Sequence, residues 1–329
     1  MTRPNWSQQF NRRTPPDLWK PPDPLSPSRL WAMPVWCDGL DWQTMNTDVL
    51  TTILGVSLLV FVITSMLAMG LSLKIAQILA PLKNARLVVV AIAANFIVVP
   101  LVAWGLAELL GLSDGLTIGL ILMGTAAGAP FLPKLGEVAK GSIAFSVGLM
   151  VMLMVLTVLY MPIVLPLAIT GVDVNAWDIA SSLIFLMLLP LAIGLVVKAL
   201  WEDLASRLQP TMGKISSVAI ALMVVSGIIA SWSSIVGIIG TGGLVAILVF
   251  LVASFLVGYL GGGSDLGIRS VLGLGTAQRN LSAALVVALQ NFADDPDVLT
   301  MVIVGGMVGL VLLMPLAAQL GKKQETTYS

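Results

Sequence analysis

From Asp48 onward, apolar stretches alternate with short polar joints, and the pattern predicts nine membrane-spanning helices. They run from Val49 to Leu73, from Leu87 to Leu110, from Gly115 onward, from Ser142 to Leu167, from Trp177 to Leu200, from Met212 to Trp232, from Leu244 to Leu260, from Ile268 to Phe292 and from Val298 to Leu320. Two of them are interrupted. The third is broken around Gly128, Ala129, Pro130, Phe131, Leu132 and Pro133, and the eighth carries the polar run Thr276, Ala277, Gln278, Arg279 and Asn280. Irregular backbone at membrane depth is tolerated where it is buried in protein or lines a cavity, so both breaks are candidate functional sites.

The charged joints give the spans a direction. Lys74, Lys83 and Arg86 follow the first span, Lys140 the third, Lys198, Arg207 and Lys214 the fifth, Arg269 the seventh, and Lys322 and Lys323 the ninth. The joints after even-numbered spans hold no Lys or Arg and carry Asp173, Asp294, Asp295 and Asp297. By the positive-inside rule the odd-numbered exits face the cytoplasm, which predicts a multi-pass protein of the plasma (inner) membrane with its N-terminus outside and its C-terminus inside.

The two broken spans also suggest an internal repeat. Each is followed by an uninterrupted span that contains Met-Pro, at Met161-Pro162 and Met314-Pro315. The charge rule makes the broken spans cross in opposite directions, as in an inverted-topology repeat whose broken helices meet near the midplane. The expected fold is therefore an all-α polytopic membrane protein of the inverted-repeat transporter type. Residues 1–48 form an extracytoplasmic tail, residues 49–320 a nine-helix transporter domain (repeats of about 49–168 and 177–320), and residues 321–329 a cytoplasmic tail.

Composition agrees with this class and removes others. Of 329 residues, 57% are hydrophobic and 10% charged, against about 25% charged in a soluble domain. The partner implied for the surface is the lipid bilayer. The 17 basic and 17 acidic residues leave no excess charge for a nucleic acid. The absence of histidine rules out histidine-based triads, metal sites and proton relays, and the single Cys37 rules out a cysteine cluster or an internal disulfide. No cofactor, metal site or catalytic constellation is expected, and the chain does not read as an enzyme. A channel would need a polar stripe along several spans, whereas polarity concentrates at the two breaks. The N-terminal segment differs again, with Trp6, Trp19, Trp31, Trp36 and Trp42 among runs such as Lys20-Pro21-Pro22-Asp23-Pro24. Prolines at this density oppose a helix, and the indoles suit the membrane interface.

Several motifs carry a family resemblance. Met69-Gly70-Leu71, Asn95-Phe96 before Pro100, Ala139-Lys140-Gly141 before Ser146, and Gly275-Thr276-Ala277-Gln278-Arg279-Asn280 resemble the bile acid:sodium symporter family over roughly Val49 to Leu320. The resemblance implies a core domain with two crossing, unwound helices, a smaller panel domain, and transport by movement between them. The chain looks like the nine-helix members, which lack the first helix of the ten-helix ones. Several positions depart from the family pattern. Leu274 stands where sodium-coupled members have Glu, Leu132-Pro133 where they have Ser-Asn, Met150 where a threonine ligand is expected, and Asn95 where Gln is usual, while Ser146 and Gln278 match. Sodium selects hard oxygen ligands, so two-sodium coupling is not expected, although Asn95, Ser146, Gln278 and Glu137 remain candidates for ion coupling.

Arg279 stands where the family has Asn. An arginine at membrane depth costs about 2.5–3.5 kcal/mol unless it faces a cavity or partner. Its expected role is to replace the missing sodium charge and to present its guanidinium fork to an anionic solute, with a bridge to Glu137 as the competing role. Gly128, Pro130, Pro133, Gln278, Arg279 and Asn280 are thus the candidate solute-binding residues. Lys134 and Glu137, three apart on one helix face, are expected to pair, and Glu137 is also the candidate buried proton carrier. The glycine- and serine-rich sixth and seventh spans are expected to serve close helix packing. The function expected is secondary active transport of a small organic anion. Sodium-coupled symport through one altered site, or a channel-like or arsenite-type permease, stays open beside it. The sequence specifies no oligomeric state.

Overall fold

Helix formation follows the apolar stretches closely. The computed structural model describes residues 42–74, 76, 84–169, 175–230, 236–238 and 240–328, with side chains from residue 52. Most of the Trp/Pro-rich tail, Lys83, Asp173 and the end of the sixth span at Trp232 lie outside the described residues. Helix α1 runs Trp42–Ser72, beginning inside the segment that the sequence assigns to the tail. Helix α2 is Ala85–Leu110, α3 Asp114–Thr125, α4 Leu132–Val138, α5 Ile143–Ala168 and α6 Ala176–Leu200. Helix α7 is Glu202–Ala230, α8 Gly243–Gly261, α9 Leu266–Ala277, α10 Leu281–Asn291 and α11 Pro296–Tyr328. No strand occurs among the described residues. Among the described residues, six helices are long and apolar enough to cross a membrane: α1, α2, α5, α6, α8 and α11. The third and eighth spans are the pairs α3–α4 and α9–α10, each interrupted as the sequence predicts.

The apolar interior falls into two clusters. One cluster holds Met66, Val99, Leu122, Met154, Val158, Phe250, Leu285 and Met301, and the other holds Leu87, Phe96, Leu132, Leu153, Leu274 and Leu313. Helices α2 and α5 run from the second cluster into the first. The α3–α4 pair runs from the first into the second, whereas α9–α10 runs the opposite way. The two broken spans therefore cross in opposite senses, and both breaks fall where one cluster gives way to the other. Outward faces are apolar too, with Leu101, Leu109, Leu159, Ile163, Leu167 and Val311 exposed. So much exposed aliphatic surface suits lipid rather than water. The molecule is a polytopic helical membrane protein.

Small residues bring particular helices into contact. At Gly70 of α1 a Cβ atom would lie 2.9 Å from the Gly194 Cα on α6, so the two backbones touch. Gly258 of α8 faces the Leu272 carbonyl and Thr276 side chain of α9, which leaves no space for a side chain there. Ion pairs gather at the helix ends. Glu202 accepts from Lys74 at 3.1 Å and Lys198 at 3.2 Å, and these hydrogen bonds hold its carboxyl below the usual carboxylate range. Lys140, the one non-glycine with positive φ among the described residues, pairs with Glu325 near the end of α11.

Candidate functional site

The first break forms because its residues cannot continue a helix. Pro133 lacks an N–H and sits in the first turn of α4, and Pro130 disfavours helical geometry at Ala129. Gly128 takes φ +79°, and a Cβ there would fall on the backbone of Met154 and Met150 in α5. The unwound Ala127 is held by one hydroxyl. Thr157 Oγ1 of α5 accepts from the Ala127 N–H and donates to the Ala127 carbonyl, both at 3.0 Å. Apart from these backbone groups the break is apolar, with Ala126, Ala127, Ala129 and Leu132 buried.

The second break carries side chains. Gln278 and Asn280 leave helical geometry, and Asn280 starts α10 by accepting from the Ala283 N–H at 3.2 Å. Residues 278–280 are all buried, Arg279 being 3% exposed. The Asn280 N–H donates to the Ala126 carbonyl at 2.9 Å, a backbone bond that ties the two breaks together.

Arg279 lies at the centre of the crossing. Its Nε donates to the Met123 carbonyl at 2.8 Å and Nη2 to the Gly124 carbonyl at 2.7 Å. Its Nη1 donates to the Thr276 carbonyl and to Asn95 Oδ1, both at 3.0 Å. Met123 and Gly124 lie in the last turn of α3, and Thr276 in the last turn of α9. The last carbonyls of a helix have no partner within it, and here one guanidinium satisfies those of two helices. Asn95 belongs to a single π-turn, Ala94–Val98, within α2. Such a bulge shifts the side chains that follow it and recurs at functional sites. The Asn95 amide donates to the Ala91 carbonyl at 3.0 Å and Thr276 Oγ1 at 3.2 Å, which fixes its oxygen toward Arg279.

The structure alters several expectations. Four of the five guanidinium N–H groups are engaged, so Arg279 has no free two-pronged fork to offer a carboxylate. No bridge joins it to Glu137. Lys134 and Glu137 pair with each other at 2.9 Å as expected, but the Glu137 side chain is 58% exposed, so it is not the buried carboxyl expected of a proton carrier. Ser146 is buried in the first turn of α5, donates to the Ser142 carbonyl and faces Gly136 of α4. No hydrogen bond joins Ser146 or Glu137 to Asn95 or Gln278 among the described residues. Pro130 and Pro133 are partly buried. Leu274 is fully buried in the second apolar cluster.

Thr157 and the carbonyls of Met123 and Gly124 were not singled out from the sequence, and Thr276 was read there only as part of the polar run and its motif. A lone threonine in the apolar stretch of α5 was the available signal for Thr157. Backbone carbonyls leave no signal in a sequence. Three polar groups at the crossing retain hydrogen-bonding capacity: Gln278 Oε1 and Asn280 Nδ2 have no partner among the described residues, and one Arg279 Nη2–H is unused. A cavity of about 10 Å³, enough for one water molecule, lies beside Gln278 and Arg279 and is lined on its other side by Gly305, Gly306 and Gly309 of α11.

Interrupted helices that end at a buried polar crossing, inside an apolar bundle, define a membrane transporter. The chain belongs to the sodium bile acid symporter family, whose model matches residues 58–238. It is 26% identical over 195 residues to a probable sodium/metabolite cotransporter, BASS3, chloroplastic, of Arabidopsis thaliana, an alignment that covers 59% of this chain and 45% of that protein. It is 25% identical over 278 residues to the probable cotransporter BASS1 of the same plant, over 80% of this chain and 67% of the relative. It is 29% identical over 170 residues to the uncharacterized sodium-dependent transporter YocS of Bacillus subtilis, over 49% and 52% of the two chains. The chain thus spans less than half the length of the BASS3 proteins that it matches.

Proposed function

We propose that this protein is a secondary active transporter of a small organic anion, which passes the crossing of the two broken helices by alternating access. Residues 278–280 carry this reading. They are buried and polar at a break, and they keep two donors, Asn280 Nδ2 and one Arg279 Nη2–H, with one acceptor, Gln278 Oε1. Buried polar groups normally find partners, and the oxygens of a carboxylate or sulfonate suit the donors. Gly128, Pro130 and Pro133 shape the opposite wall by keeping the third span unwound. The charged joints favour an inner-membrane orientation with the N-terminus outside.

The names of the relatives favour a second reading, sodium-coupled symport through a single altered site. A thermal-shift screen of carboxylates and sulfonates on the purified protein tests the first. At a hundredfold excess over Kd a true solute contributes about 2.7 kcal/mol of stability, which raises Tm by several degrees. Gln278→Ala should lose that shift. No response to any anion, or an equal response in the variant, would remove residues 278–280 as the site.

A further inference from the structure

We infer that Arg279 is a resident cation, which holds the oxygen-lined position at the ends of two half-helices so that the crossing closes without a co-bound sodium ion. This deepens the reading above, because it concerns the coupling of the same site. The acceptors around the guanidinium are four neutral oxygens: the carbonyls of Met123, Gly124 and Thr276, and Asn95 Oδ1, at 2.7–3.0 Å. Arg279 takes part in no ion pair among the described residues. Its compensation is therefore dipolar. Each helix C-terminus carries roughly half a negative charge, so the ends of α3 and α9 together offer about one, which matches one monovalent cation.

Broken-helix transporters coordinate cations with unwound carbonyls and with the C-terminal ends of half-helices. In this chain the guanidinium has taken those groups. A second monovalent cation about 4 Å from the first would bind roughly a thousandfold more weakly at an effective dielectric near 20. Among the described residues no carboxylate pairs with Arg279 to offset that penalty, and position 274 is a buried leucine. Arginine does not deprotonate in proteins, and a tethered charge cannot leave on either side of the membrane. Arg279 thus supplies the charge that closes the crossing but carries no ion-gradient energy. Transport is then driven by exchange for another anion, whose gradient takes the place of a sodium gradient.

The test needs no solute, so failure of the organic-anion reading leaves it intact. Thermal unfolding of the purified protein is followed in sodium, potassium and choline chlorides at matched ionic strength. The wild type should show the same Tm in all three, and Arg279→Lys, which keeps the charge, should share that indifference. Arg279→Ala should lose roughly 5–10 °C and regain most of it, saturably, with millimolar guanidinium or sodium but not with bulky choline. Saturable, sodium-specific stabilisation of the wild type or of Arg279→Lys would overturn the proposal. So would Arg279→Ala retaining the wild-type Tm, or its indifference to every small cation.

Discussion

The two breaks solve the same problem by different means. Residues 126–131 contribute backbone alone, and their unpaired groups are met from outside, by the Thr157 hydroxyl and by the Asn280 N–H of the other break. Residues 278–280 bring their own polar side chains, and one of them, Arg279, bonds carbonyls at the ends of both half-helices. The first break is therefore a shaped surface that depends on its neighbours, and the second is the source of chemistry. Substitutions in the first should damage folding, and those in the second should also alter recognition.

Gly128→Ala should show the largest effect on this contrast. A side chain there meets both a positive φ and the α5 backbone, so a loss of more than about 3 kcal/mol is expected. The measurement is unfolding of the detergent-solubilised variant, and a wild-type Tm would mean that the first break is not rigid. Thr157→Val comes next, because it leaves the Ala127 N–H and carbonyl buried without partners, at a cost of roughly 2–3 kcal/mol. Solute-induced Tm shifts should keep their midpoint in this variant. A changed midpoint would show that the first break contributes recognition as well as shape. Asn280→Ala should be mildest for stability, about 1 kcal/mol for the lost helix cap, yet it should weaken solute binding, because Nδ2 is one of the free donors. Unchanged binding would confine recognition to Gln278 and Arg279.

Much of the fold was legible in one dimension. A bilayer requires long apolar stretches and penalises polar interruptions, so the helices and both breaks stand out as runs in the chain. Arg279 and Gln278 were visible for the same reason, as polar residues set in apolar spans. Glu137 misled because three-residue spacing fixes a helix face but not whether that face is buried.

The sequence by itself determined where the helices lie, where two of them break, and that a positive charge is set into the eighth span. Only the tertiary structure decided what that charge does. The Gly124 carbonyl that Arg279 reaches is 155 positions away in the chain, and it became an acceptor only because α3 ends where α9 ends. Hydrophobic pattern is a local property that lipid reads directly, whereas the partner of a buried hydrogen bond is set by which helices cross and at what height. That height is the level at which the two apolar clusters meet, and there the guanidinium found two helix ends in place of the carboxylate of Glu137.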